Sequence, residues 1–465
     1  MQQRCEFIDG AVNLAEQQEK ALLTEGNVAG TLVRLTMPMV WGLFAVISQP
    51  LVDSYFVGQL GSHELAAMSY VFPLALVFSS VVVGLGIGIS AVLARLIGAG
   101  EWRHVRQTTS HGVLLTLVIV AAMTIAGLAS IEPVFRLMGA MPETMVFVRQ
   151  YMVIWYAAAL LLAFPMASTA CLRAKGLSGA ASLVMIVIAV VNIVLDPLLI
   201  FGLLGAPELG FAGAAWATLG ANLVGTLLAG YFMIFRERMI DFRWPELAKM
   251  TAHWRTILHV GLPSALTNLA TPVALVVVIW IVSDLGEEAV AGFGVAIRIE
   301  ALALIVPHAL SVIIGPFVGQ NYGAGRGERI HLAMRLALGF SVGYGLLVAL
   351  FLGVFAHWIG ARFQTDPGII EATAIYLIIV PVTFCFFAII RIVAAAYNAL
   401  GQPRPNVIFF TVKLLAIYVP LSYLGARYMG FQGVAIASAL SNLVAGGMAY
   451  YWYRAHFPAD IRIRP

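Results

Sequence analysis

Twelve apolar runs recur along the chain, near 33–56, 65–97, 108–130, 147–170, 180–203, 211–235, 257–283, 289–318, 333–357, 370–395, 406–426 and 431–453. A helix rises 1.5 Å per residue, so about 20 apolar residues cross the hydrocarbon core of a bilayer. Each run therefore predicts one spanning helix, and the short polar stretches between them predict tight turns. One connection is longer and more polar, from about 236 to 256, and it divides the runs six and six. The pattern predicts an all-α integral membrane protein, with a tail over 1–32, a first lobe over 33–236 and a linker over 237–256. A second lobe follows over 257–453 and a tail over 454–465.

Composition agrees with that pattern. Of 465 residues, 61% are hydrophobic and only 11% charged, with a mean hydropathy of +0.92. That charge content is about half of what a soluble domain carries. The net charge of +4 gives no argument for nucleic acid, because the basic residues sit in short loops. Cys5, Cys171 and Cys385 make no metal or redox spacing. Residues 1–30 lack an apolar core followed by a cleavage site, and read as a loosely ordered tail rather than a signal peptide.

Charge does orient the helices. One set of loops and ends, with the C-terminal tail, holds seventeen Lys and Arg residues. The alternate loops hold only Arg136, Arg362 and Arg427. The positive-inside rule puts the basic set, and both termini, in the cytoplasm.

The two halves repeat. At an offset of 225, Pro38 matches Pro263, Gly61 matches Gly286, Ala66 matches Ala291, and Gly98-Ala-Gly100 matches Gly323-Ala-Gly325. Arg173-Ala-Lys-Gly176 likewise meets Asn398-Ala-Leu-Gly401. After a shift of five, Gly210-Phe-x-Gly-x-Ala matches Gly430-Phe-x-Gly-x-Ala, and Asn222-Leu-Val matches Asn442-Leu-Val. Six helices per repeat make the lobes parallel, related by a pseudo-two-fold axis along the membrane normal. Transporters built this way hold substrate between the halves and alternate access by rocking them.

The repeat also isolates the chemistry. Asp53, Asn192 and Asp196 fall on Val278, Ile417 and Leu421, so the scaffold itself asks for no polar group there. A carboxylate at bilayer depth is costly and marks an ion or proton path. Asn192 and Asp196 stand four apart and share a helix face. Pro50 and Pro197 lack N–H groups and free the carbonyls of Val46 and Ile193 beside the two acids. Two carboxylates, an amide oxygen and freed carbonyls suit Na⁺, or a proton held between the acids. The competing readings are structural: Asp53 capping a helix end near Gly58–Gly61, and Asp196-Pro197 ending the fifth helix. Gln49, one turn before Asp53, and Asn222 are further polar candidates in the first lobe. Arg298 and Glu300 either line the opposite wall or cement the second lobe. Lys413 and Arg391 read as snorkelling to the interface, and His308 as a hydrogen-bonded core histidine.

The segments Met37-Pro38 to Gly61, Gly98-Ala-Gly100, Arg173-Ala-Lys-Gly176, Asn192-x-x-x-Asp196-Pro197 and Val318-Gly-Gln-Asn-Tyr-Gly-Ala-Gly325 together resemble the multidrug and toxic compound extrusion (MATE) transporters. Acids on helices one and five make the chain more similar to the DNA-damage-inducible F type than to the NorM type. The resemblance implies a monomeric antiporter, without an organic cofactor, that expels amphipathic cationic drugs in exchange for H⁺ or Na⁺. It implies a first-lobe cation site at Asp53, Asn192 and Asp196, with Tyr151 and Thr218 as neighbours. It also implies a bend of helix one at Pro38, and Pro50 offers a second place to yield. A lipid-linked precursor flippase is the alternative. A membrane enzyme lacks any catalytic signature at membrane depth, and a channel lacks a filter-like loop.

Overall fold

The computed structural model describes residues 21–243 and 246–457, and among these it is helical apart from short connections. The first lobe comprises α1 (Val28–Gly58), α2 (Ser62–Gly98), α3 (Trp102–Leu137), α4 (Pro142–Lys175), α5 (Ser178–Phe201) and α6 (Phe211–Gly230). The second comprises α7 (Leu247–Ser283), α8 in two halves (Glu287–Ala303 and Ile305–Gly323), α9 (Gly327–Phe363) and α10 (Pro367–Ala399). The last apolar stretch, Arg404–His456, holds 53 residues. At 1.5 Å per residue that is roughly 80 Å, too long for one span of a ~30 Å core. It breaks at Gly430, whose φ of 60° and ψ of −145° are not helical, giving α11 over 404–429 and α12 over 431–456.

The break at Gly430 is a repeat of the one before α6. Gly210, its counterpart, has φ 55° and ψ −134°. Only glycine takes this backbone without strain. The next motif glycine, Gly433, also lies flush against the Gly425 carbonyl, with no room for a Cβ. The shared Gly-Phe-x-Gly-x-Ala sequence thus encodes a turn and the close return of the next helix.

The bend in α8, 46° between its halves, has an equally local cause. Pro307 cannot donate to Ala303, four residues earlier. The freed Ala303 carbonyl instead accepts a 2.8 Å hydrogen bond from the Tyr344 hydroxyl of α9. By contrast α1 is helical through both Pro38 and Pro50, with its Asn27 side chain accepting from the Gly30 N–H at 3.0 Å.

The lobes join at the end that carries Gly98 and Gly323. A Cβ on Gly98 would collide with the Gln320 carbonyl, and one on Gly323 with the Arg95 carbonyl. Val28, Leu32, Leu35 and Met39 of α1 enter a core with Ile313, Phe317 and Val393 of the second lobe. Ile257 of α7 reciprocates in the first-lobe core, beside Leu85 and Ile89.

Two boundaries differ from the sequence expectation. α7 starts at Leu247, inside the stretch read as linker, because its first turns project beyond the apolar run. The expected loose tail is fixed where it is described: Leu23 is fully buried, and its N–H donates to Gln320 Oε1 at 3.0 Å. Asn321 Nδ2 donates to the Leu23 carbonyl at 3.0 Å, and Arg329 donates to the Gly26 and Glu25 carbonyls at 2.7 and 3.0 Å. Residues 1–20 and 458–465, which complete the two tails, lie outside the described residues.

Candidate functional site

Asp53 lies within α1, five residues before its end, and Asp196 lies five residues before the end of α5. Neither caps or terminates a helix, so both structural readings of these acids fail. Asp53 is 8% exposed, and Asn192 and Asp196 are fully buried. The two carboxyl groups face each other within hydrogen-bonding reach.

Four oxygen atoms of this group have no protein donor: Asp53 Oδ1, both Asp196 carboxyl oxygens and Asn192 Oδ1. A buried polar atom without a partner forfeits its hydration, and a charged one forfeits far more. A proton shared between the acids, or a small cation, would supply the missing partner. Around it, Asn192 Nδ2 donates to Thr218 Oγ1 at 3.5 Å, and that hydroxyl donates to the Ala214 carbonyl at 3.0 Å. Tyr151 is buried, stacked on Phe211 with ring centroids 4.8 Å apart, beside Thr218 and close to both acids. Five predicted residues from α1, α4, α5 and α6 therefore converge.

The remaining candidates do not join them. Gln49 is partly buried, and among the described residues no hydrogen bond links it to either acid. Asn222 is structural: its amide donates to the Ala158 carbonyl at 2.9 Å, tying α6 to α4. Its repeat partner Asn442 donates to Thr383 Oγ1 at 3.2 Å, and Thr383 is the repeat equivalent of Ala158. Arg298 is exposed, whereas Glu300 accepts a 2.6 Å hydrogen bond from the Tyr376 hydroxyl. The two face apart, as their spacing requires.

Lys413 and Arg391 correct the snorkelling expectation. Lys413 Nζ lies 4.1 Å from the centroid of the Phe387 ring and close to Glu300 and Arg391, deep in the second lobe. Arg391 Nη2 donates to His308 Nε2 at 3.0 Å, which fits the hydrogen-bonded histidine expected. The signal for this cluster was present in the repeat. Glu300, His308, Arg391 and Lys413 fall on Ala75, Val83, Met166 and Ile188 at the same offset.

Comparison with known proteins closes the question of family. The MatE family model matches residues 38–198 and 263–424, one segment in each lobe. A Shewanella oneidensis protein described as an FAD transporter is 34% identical, covering 92% of this chain and 95% of that protein. The multidrug export protein MepA of Staphylococcus aureus is 22% identical, covering 90% and 93%. The crystal structure of the Vibrio cholerae MATE transporter VcmN in the bent form superposes with a TM-score of 0.87 at 29% identity, covering 92% and 96%. The matched segments, the paired six-helix lobes and the breadth of this likeness establish that the chain is a multi-pass membrane transporter of the MatE family, not an enzyme.

Proposed function

We propose that the protein is a secondary-active exporter in which H⁺ or Na⁺ entering the Asp53–Asp196 site drives release of an amphipathic organic substrate. The observation that carries this reading is the set of four buried oxygen atoms without donors, at positions where the second lobe is apolar. An ion that completes the site changes the electrostatics of α1 and α5 together. Pro38 and Pro50 are the places where α1 can yield in response. Ion and substrate then weaken each other's binding, a reciprocity that linkage demands.

Loop charge supports both termini in the cytoplasm of an inner membrane; on that orientation the joined end of the lobes is cytoplasmic and the opposite end opens outward. One chain carries the complete pair of lobes, which supports a monomer. The multidrug names of several relatives support amphipathic cations as substrates, and the first-lobe acids support the same class. A second reading, organic anions, draws on the relative described as an FAD transporter and on the cations of the second lobe. The test is efflux from proteoliposomes with pH and Na⁺ gradients imposed separately. Export accelerated by one of them supports the proposal, and export indifferent to both overturns it.

A further inference from the structure

The second lobe holds a charge imbalance of its own. Glu300 in the first half of α8, Arg391 in α10 and Lys413 in α11 approach one another around the Phe387 ring. His308 accepts from Arg391 through Nε2, so its ring is neutral and its proton is on Nδ1. Glu300 accepts from Tyr376 and is the single anion of the group. Two cations against one carboxylate leave one positive charge without a counter-charge.

The donors tell the same story. Arg391 Nε is buried and has no acceptor. Among the described residues Lys413 makes no hydrogen bond, and its ammonium has only the Phe387 ring and the neighbouring charges. All four ionisable residues nevertheless keep some accessible surface.

The backbone is irregular at the same place. Glu300 lies in the last turn before the α8 bend, and His308 in the first turn after it. Lys413 rides on a π-helical segment, Val412–Tyr418. Interrupted helices and π-bulges inside membranes concentrate at ligand sites, since they spend regular backbone pairing to place side chains.

We propose that Lys413 and Arg391 bind the anionic group of an amphipathic cargo, a phosphate or carboxylate carried on an aromatic body. Phe387, which is partly exposed, offers the aromatic surface, and Glu300 tempers the affinity by offsetting one of the two positive charges. This rests on the transporter reading above and assigns the second-lobe cluster to organic anions, while the first-lobe acids serve cations.

Equilibrium binding tests it without any gradient, so failure here is distinct from failure of ion-coupled export. The probes are 1-naphthyl phosphate and the uncharged 2-naphthalenemethanol, titrated into purified protein in nanodiscs of neutral lipid. Lys413→Met should weaken naphthyl phosphate roughly tenfold, the loss of one charge-assisted contact. Glu300→Gln should tighten it by a similar factor, because it removes the competing anion. Neither change should move the uncharged probe by more than about twofold. A purely structural cluster would be damaged by both substitutions, and shifts in the same direction overturn the proposal. Equal shifts for the two probes also overturn it. Loss of naphthyl phosphate binding when phosphatidylglycerol replaces part of the neutral lipid would assign the site to a lipid headgroup and overturn the cargo.

Discussion

The two lobes share a scaffold and differ in their ions. Gly210 and Gly430 take the same backbone, and Asn222 and Asn442 tie equivalent helices at equivalent places. Tyr151 and Tyr376 also correspond, and each stands beside its own lobe's carboxyl chemistry. Yet the first lobe carries two acids and an amide where the second has Val278, Ile417 and Leu421. The second carries Glu300, Arg391 and Lys413 where the first has Ala75, Met166 and Ile188. What recurs builds the lobe. What does not recur was added to it, and both additions lie within membrane-spanning helices, where an idle charge is expensive.

That division can be attacked from both sides. The largest effect should come from moving chemistry into the wrong lobe. Val278 is fully buried in an apolar cluster with Phe293 and Val282, so Val278→Asp places a charge where nothing receives it. It should cost about 3–5 kcal/mol, as an unpaired buried charge does, and appear as a large fall in thermal stability in detergent. A stable Val278→Asp protein would mean that the second lobe has a hidden partner for an acid.

The next effect is functional. Asp196→Asn supplies an amide donor to Asp53 and removes one of two facing acids. Ion-driven exchange in vesicles should fall on the order of a hundredfold, the upper range of coupling between sites. Thermal stability should hold or rise, since fewer orphaned oxygens remain. Unchanged exchange would sink the first-lobe coupling site.

The smallest effect concerns the shared scaffold. Asn222→Ala and Asn442→Ala each delete one buried hydrogen bond and should destabilise by about 1–3 kcal/mol, in similar measure. Strongly unequal losses in melting temperature would show that one of the pair does more than tie helices together.

Much of the molecule is legible in the sequence, for a physical reason. Hydrophobic length gives the spans, glycine at fixed offsets gives the turns, and a duplicated chain supplies its own control for polar residues. Asp53 and Asp196 stand out because their repeat partners are apolar. Convergence between helices distant in sequence is less legible, since length and offset say nothing about how deep a side chain sits. Lys413 looks like an interfacial lysine until its π-helical segment turns it over Phe387. Asn222 looks like a cavity polar group until its bond to Ala158 is seen. The first described residues look loose because their anchors, Gln320, Asn321 and Arg329, lie about 300 positions away.

Those anchors have a consequence for how the protein can be handled and timed. Gln320 accepts from the Leu23 N–H and donates, at 2.6 Å, to the Ala174 carbonyl of the other lobe. One amide therefore clasps the chain's entrance and both lobes at once. Any state that parts α4 from α8 at this end must undo that clasp. Under the proposed transport cycle the segment before α1 would bolt this end of the lobes, and a label or fusion near Leu23 would alter how often that end opens rather than what passes through it.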